Sequence, residues 1–175
     1  MILNNYWAWK YAIEQNIYYA YNQQAKDTTR QTTIKGTDGQ TYRMASNIAN
    51  GDYVIPNIKM SGTLTHSISE STSEINVEDY ALQDEISNIS VTSTSITYNN
   101  TNNSMKYVFS CNGTNNNSDA ITIRKIGLKK RINTWNTSSG AQENWYFLFA
   151  VVELEEPITV PAGHGYTIVV DMTEQ

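Results

Sequence analysis

Hydrophobic and polar positions follow two different rhythms along this chain. At the start, apolar residues Leu3, Tyr6, Trp9, Ile13, Ile17 and Tyr21 recur at the spacing of one helical face, with Asn4 or Asn5 placed to cap the first turn. The pattern predicts a helix over roughly 5–22. Its stripe is aromatic through Tyr6, Trp9, Tyr18 and Tyr21, and Trp7, Tyr11 and Tyr19 carry rings beyond one face.

From Gln23 to Asn57 the sequence is polar and punctuated, with a hairpin-like Asp38-Gly39 turn and a second turn at Asn50-Gly51; short peripheral strands are expected there. Beyond it the rhythm becomes alternation. "IKMSGTLTHSI" puts Ile58, Met60, Gly62, Leu64 and His66 on one face. "INVEDYALQDEI" breaks the pattern and reads as a structured connection. "ISVTSTSITY" is strongly β-prone, and its apolar phase changes between Val91 and Ile96, which predicts a bulge. "MKYVFSC" alternates Met105, Tyr107, Phe109 and Cys111, and in "DAITIRKIGLKK" the phase of Ile121 and Ile123 shifts to that of Ile126 and Leu128 at Gly127.

Two apolar runs close the chain. "NWYFLFAVVEL" and "GYTIVVDM" are the type expected of strands covered on both faces. Between them Pro157 and Pro161 fit positions without a ladder hydrogen bond, and Gly163 and Gly165 fit a turn needing positive φ. Seven or eight strands after one helix, without intervening helical patterns, predict a mainly β protein: an antiparallel β-sandwich or jelly roll with an N-terminal α-helix. The expected division is a helical anchor segment over 1–24, peripheral strands and turns over 25–57, and the sandwich over 58–175.

Composition supports that class and narrows the chemistry. The 175 residues are 39% hydrophobic but only 17% charged, so the polar surface comes largely from Asn, Thr and Ser. A net charge of -5 argues against nucleic acid and anionic membrane as partners. The single cysteine leaves no intrachain disulfide and no multi-cysteine metal site, and Cys111 reads as a small buried filler. No apolar stretch is long enough to cross a bilayer, and the N-terminus lacks the features of a signal peptide; the expectation is a chain neither secreted nor anchored.

No constellation of residues suggests catalysis. His66 and His164 are far apart and outside any metal-ligand spacing; His66 is expected as a satisfied or half-exposed strand residue and His164 as a solvated turn residue. Carboxylates cluster at Asp79, Asp84 and Glu85 and at Glu153, Glu155 and Glu156, but glycoside hydrolysis needs a defined separation across a cleft that spacing alone does not supply. Asp79 is expected to cap backbone N–H groups of its own loop. The reading is therefore no enzyme, no cofactor and no metal.

"NNYWAWKYA", "EDYALQDEI", "YVFSCNGTNNNSDAITIRKIGL" and "FLFAVVELEEPITVPAGHGYTIVV", in that order, resemble a broad group of tailed-bacteriophage virion proteins, of the tail, neck or fibre β-sandwich type. Ile121, Ile123, Ile126, Gly127 and Leu128 carry one matching pattern, and Glu156, Pro157, Ile158, Val160, Pro161, Ala162 and Gly163 carry another. Lys125 and "FAVVEL" depart from it: the first stands where an acidic residue is usual, the second where an Arg-containing segment is.

The resemblance implies a structural component of a virion assembled in the bacterial host cytoplasm, acting by oligomerisation and docking to other virion proteins. The helix either packs on its own domain or projects to a partner; the expected partner-binding residues are Tyr6, Trp7, Trp9, Ile13, Ile17, Tyr18 and Tyr21. The alternative is a receptor- or carbohydrate-binding module, as in a tail fibre or head decoration, with Trp135, Trp145 and loop tyrosines stacking on sugar rings; against it stands the reading that Trp145 is a core residue and Trp135 lines a loop.

Overall fold

Alternation becomes two antiparallel sheets. The computed structural model describes residues 1–11, 32–44, 64–101, 104–136 and 141–174. A helix, α1, covers residues 4–11. The strands that follow are β1 (Thr32–Lys35), β2 (Thr41–Met44), β3 (Leu64–Ser69), β4 (Ile89–Thr101), β5 (Ser104–Asn115), β6 (Ile121–Asn136), β7 (Ala141–Val160) and β8 (Gly165–Glu174). One sheet has the order β3-β6-β7, the other β4-β5-β8, and β1-β2 form a separate hairpin. Every pairing is antiparallel. The chain pairs β4 with β5 and β6 with β7 as hairpins and changes sheet between them, which produces the β-sandwich its pattern predicts.

The core lies where the inward phases of the two sheets meet. Tyr107, Phe109 and Cys111 of β5, and Tyr166, Ile168, Val170 and Met172 of β8, face Ile123, Ile126 and Leu128 of β6 and Phe147 and Phe149 of β7. Phe109 and Phe149 span the sandwich with ring centroids 5.9 Å apart. Both are buried, so truncating either to alanine costs about 3–5 kcal/mol through lost transfer energy and the cavity left behind.

The breaks in alternation are bulges, each with a consequence for packing. Register shifts between Val91 and Ser93 on β4, where the change of apolar phase required it. On β6 the shift falls between Ile123 and Lys125, ahead of the Gly127 position that the sequence suggests; Arg124 lies opposite the four residues Leu154, Glu155, Glu156 and Pro157. Pro157 thus sits in an irregularity where no ladder donor is needed. A second shift, between Leu128 and Lys129, leaves Phe149 as an extra residue on β7. It turns Phe149 and Ala150 together toward the main core, while Leu148 and Val151 point to the opposite face.

That opposite face is covered along residues 147–151, so β7 is buried on both sides there, as the middle of its apolar run implied, while Tyr146 and Glu153 at its flanks are exposed. Leu3 and Leu82 pack with Leu148 and Val151 in a second cluster. β8 behaves differently: its inward residues are buried but Val169 is 60% exposed, so its outer face meets solvent and the expectation of two covered faces fails there. The run "IVV" reflects β-propensity as much as burial.

The N-terminal residues belong to this architecture. Leu3 N donates to Phe149 O (2.9 Å), Val151 N donates to Met1 O (3.0 Å), and Ile2 bridges Ala150. The cap expected of Asn4 or Asn5 is not formed as such. Tyr6 N donates to Leu3 O, and the Asn5 side chain instead donates to Lys35 O (2.9 Å) and Leu148 O (3.2 Å), tying α1 to the β1-β2 hairpin and to β7. That hairpin is less peripheral than its polar sequence suggested, since Ile34 is fully buried in the main core. Residues 12–22 of the expected helix, the Asn50-Gly51 turn and Ile58 to Gly62 lie outside the described residues.

Two loops close one end of the sandwich around Asn115. Its side chain lies within donating distance of Asp119 O, Val160 O and Pro161 O, its Oδ1 accepts from Asn117 N, and its carbonyl accepts from Gly163 N (2.8 Å). Gly163 has φ of 72°, the left-handed conformation the closing turn requires; Gly165 needs none.

Candidate functional site

The aromatic residues of α1 divide between two environments. Tyr6 and Trp9 are buried against Phe149 and Phe147, at centroid distances of 6.2 and 6.3 Å. The chain's own core occupies them, so they cannot also meet a partner without a change of packing. Lys130, fully buried on the inward phase of β6, places its ammonium 5.2 Å from the Trp9 ring centroid, and burial pulls its pKa down to about 8. Trp7 and Tyr11 point outward, 43% and 45% exposed and one helical turn apart. Trp7 meets the edge of Tyr6 at 5.1 Å, and Lys10 Nζ lies 5.6 Å from its ring.

Of the residues the sequence named for partner binding, Trp7 is thus displayed, Tyr6 and Trp9 face inward, and Ile13, Ile17, Tyr18 and Tyr21 lie outside the described residues. Tyr11 was not among them. Its signal is the four-residue spacing from Trp7.

Apolar exposure gathers around this segment. Among the described residues, eight large hydrophobic side chains are exposed, and four of them, Met1, Trp7, Tyr11 and Val77, lie on α1 or on chain next to it. Val77 is brought there by a hydrogen bond from Asn4 N to its carbonyl (2.9 Å). The N-terminal ammonium donates to Val151 O (2.5 Å), fixing the other flank.

His66 forms the second constellation. It points between the sheets, 3% exposed, with Nδ1 2.7 Å from Thr94 Oγ1 of β4 and Nε2 2.8 Å from Tyr166 Oη of β8. It is a satisfied core histidine. Desolvation, and secondarily the Lys129 ammonium, lower its pKa to about 4. Burial raises the Tyr166 phenol above its ordinary value and pushes the Cys111 thiol up to about 12, so both stay neutral at physiological pH. Cys111 is the inert filler its alternation implied.

His164 is remote from this group, exposed in the closing turn with Nδ1 2.9 Å from Ala162 O. Asp79 Oδ2 accepts from Asn76 N (2.9 Å), the local loop cap its context suggested. Glu85 accepts from Lys129 Nζ at 2.8 Å. Lys125 Nζ donates to Ser73 O and so anchors the long connection between β3 and β4. Asp84 and Glu85 line an open cleft of about 480 Å³ with Glu70, Ser87, Asn117 and Asp119. Among the described residues no group of three or more His, Cys, Asp or Glu side chains could hold a metal ion.

Trp145, one of two proposed sugar platforms, is buried beside Phe147 and offers no face to a ligand. The side chain of Trp135 lies outside the described residues. Comparison with protein-family models, with curated proteins and with solved structures finds no match to this chain.

Proposed function

We propose that this chain is a non-enzymatic structural component of a tailed-phage virion, of the tail or neck, that works by oligomerising and docking to other virion proteins. The observation that supports this reading is the exposed aromatic pair Trp7 and Tyr11 on a helix whose opposite face is held by Tyr6 and Trp9. Large rings presented on a fixed backbone lose little conformational freedom on binding, and such residues dominate the energetics of protein interfaces. Met1 and Val77, on chain next to α1, are exposed as well, and apolar exposure concentrated in one part of a surface favours an interaction site.

Removing residues 1–24 is the wrong test, because Leu3, Tyr6 and Trp9 belong to the core and their loss would unfold the domain. Point substitutions separate docking from folding. The double variant Trp7→Ala/Tyr11→Ala should keep its circular dichroism and unfolding midpoint and lose incorporation into particles, since each interface anchor contributes about 2 kcal/mol or more. Incorporation of this variant at the parental level would refute the docking role.

A receptor- or carbohydrate-binding role is the second reading, favoured by the polar cleft lined by Glu70, Asp84, Glu85, Ser87, Asn117 and Asp119. Glycan-array binding lost on Asn117→Ala and unaffected by the Trp7/Tyr11 changes would select it.

A further inference from the structure

We propose that His66, Thr94 and Tyr166 form an acid-released clasp between the two sheets: the neutral imidazole ties β3 to β4 and β8, and its protonation opens that edge of the sandwich. The three residues lie on three strands, and the two hydrogen bonds cross from one sheet to the other at 2.7 and 2.8 Å. A neutral imidazole has one donor and one acceptor, and each hydroxyl can serve as either, so both ring nitrogens are satisfied in either tautomer. The ring of Tyr166 also meets His66 edge-on at 5.8 Å.

Among the described residues, none that touches the ring compensates a positive charge. β4 contributes the Thr94 hydroxyl and β8 the neutral Tyr166 phenol, itself near the neutral Cys111 thiol of β5. β6 contributes the Lys129 ammonium, which repels a charged imidazole. The nearby carboxylate, Glu85 on the 70–88 connection, is already paired with Lys129 at 2.8 Å. An imidazolium held here must therefore find water. A cavity of about 170 Å³ adjoins the ring, lined by His66, Tyr166, Ile68, Ile86, Ile89 and the polar residues Glu85 and Asn88, with room for several waters of about 30 Å³ each. Hydration of the clasp begins at that cavity, and its opening exposes Ile68, Ile86 and Ile89.

Amide hydrogen exchange on the full chain at pH 7, 5 and 4, expressed as protection factors, tests the proposal. With a solvated histidine at 6.5 and the clasped one at about 4, linkage gives a loss of protection of about 30-fold at pH 5 and about 150-fold at pH 4 for the paired amides of Thr65 to Ile68. Amides at the tip of the β6–β7 hairpin, where residues 133–136 pair with 141–144, exchange by fraying that leaves the clasp closed and should keep theirs. In His66→Gln, whose amide retains a donor and an acceptor but does not titrate, the local loss should vanish. If that variant fails to fold, the imidazole titration of the parental chain by NMR decides: a His66 midpoint near 4 supports the clasp. A midpoint near 6.5 in the folded chain, an equal loss of protection everywhere, or an unchanged local loss in His66→Gln overturns it.

Discussion

Gly113 carries a prediction whose size follows from distances. It pairs across the ladder with Tyr166, whose ring lies over it. A Cβ built at Gly113 would stand 2.4 Å from Tyr166 Oη, 2.6 Å from Cζ and 2.9 Å from Cε1. The hydroxyl oxygen and two ring carbons are in the way, so a small rotation of the hydroxyl cannot relieve the contact; the whole ring must move. The ring is buried and its hydroxyl is held by His66 Nε2, so moving it breaks that bond and strands two buried polar groups.

Overpacking costs about 1–3 kcal/mol and an unsatisfied buried group about 1–3 kcal/mol more, while alanine recovers somewhat under 1 kcal/mol by limiting the unfolded backbone. Gly113→Ala should therefore destabilise by about 2–5 kcal/mol, read as a lower midpoint in urea at unchanged m-value. A double-mutant cycle isolates the cause: in a Tyr166→Ala background, the same substitution should cost at least about 1 kcal/mol less, because the clashing ring is gone. A Gly113→Ala variant within about 0.5 kcal/mol of the parent, or a cycle with no coupling, would refute the close-packing argument.

The remaining predictions use other parts of the molecule. Because the folded His66 pKa, about 4, lies below the unfolded 6.5, the unfolded state binds more protons in between; stability is complete above pH 6.5 and falls by about 3 kcal/mol by pH 4, and His66→Gln should flatten that part of a urea-unfolding profile. Cys111, buried with its thiol pushed up to about 12, should resist iodoacetamide in the native chain at pH 8 and react once denatured; stoichiometric native labelling would contradict its placement. Trp9→Ala should cost about 3–5 kcal/mol by removing a core ring, whereas Trp7→Ala should stay within about 0.5 kcal/mol, and thermal melts of the two would expose any error in the orientation of α1.

What the sequence settled by itself was the part governed by period-two alternation. Tyr107, Phe109 and Cys111 could only share one face of a strand, and the broken phase after Val91 could only be absorbed by an irregularity in the ladder, whereas the shift on β6, expected at Gly127, falls between Ile123 and Lys125. The cap made by Asp79 was legible too, because its partner is three residues away. The spacing of Leu3, Tyr6 and Trp9 marked one face of α1, but the tertiary structure decided what that face meets: it packs on its own domain, against Phe147 and Phe149. The pairing of His66 with Thr94 and Tyr166, 28 and 100 residues away, was equally out of reach. Alternation assigns a side chain to a face, but what it meets there depends on how two sheets are stacked and shifted, a choice made by the whole core at once.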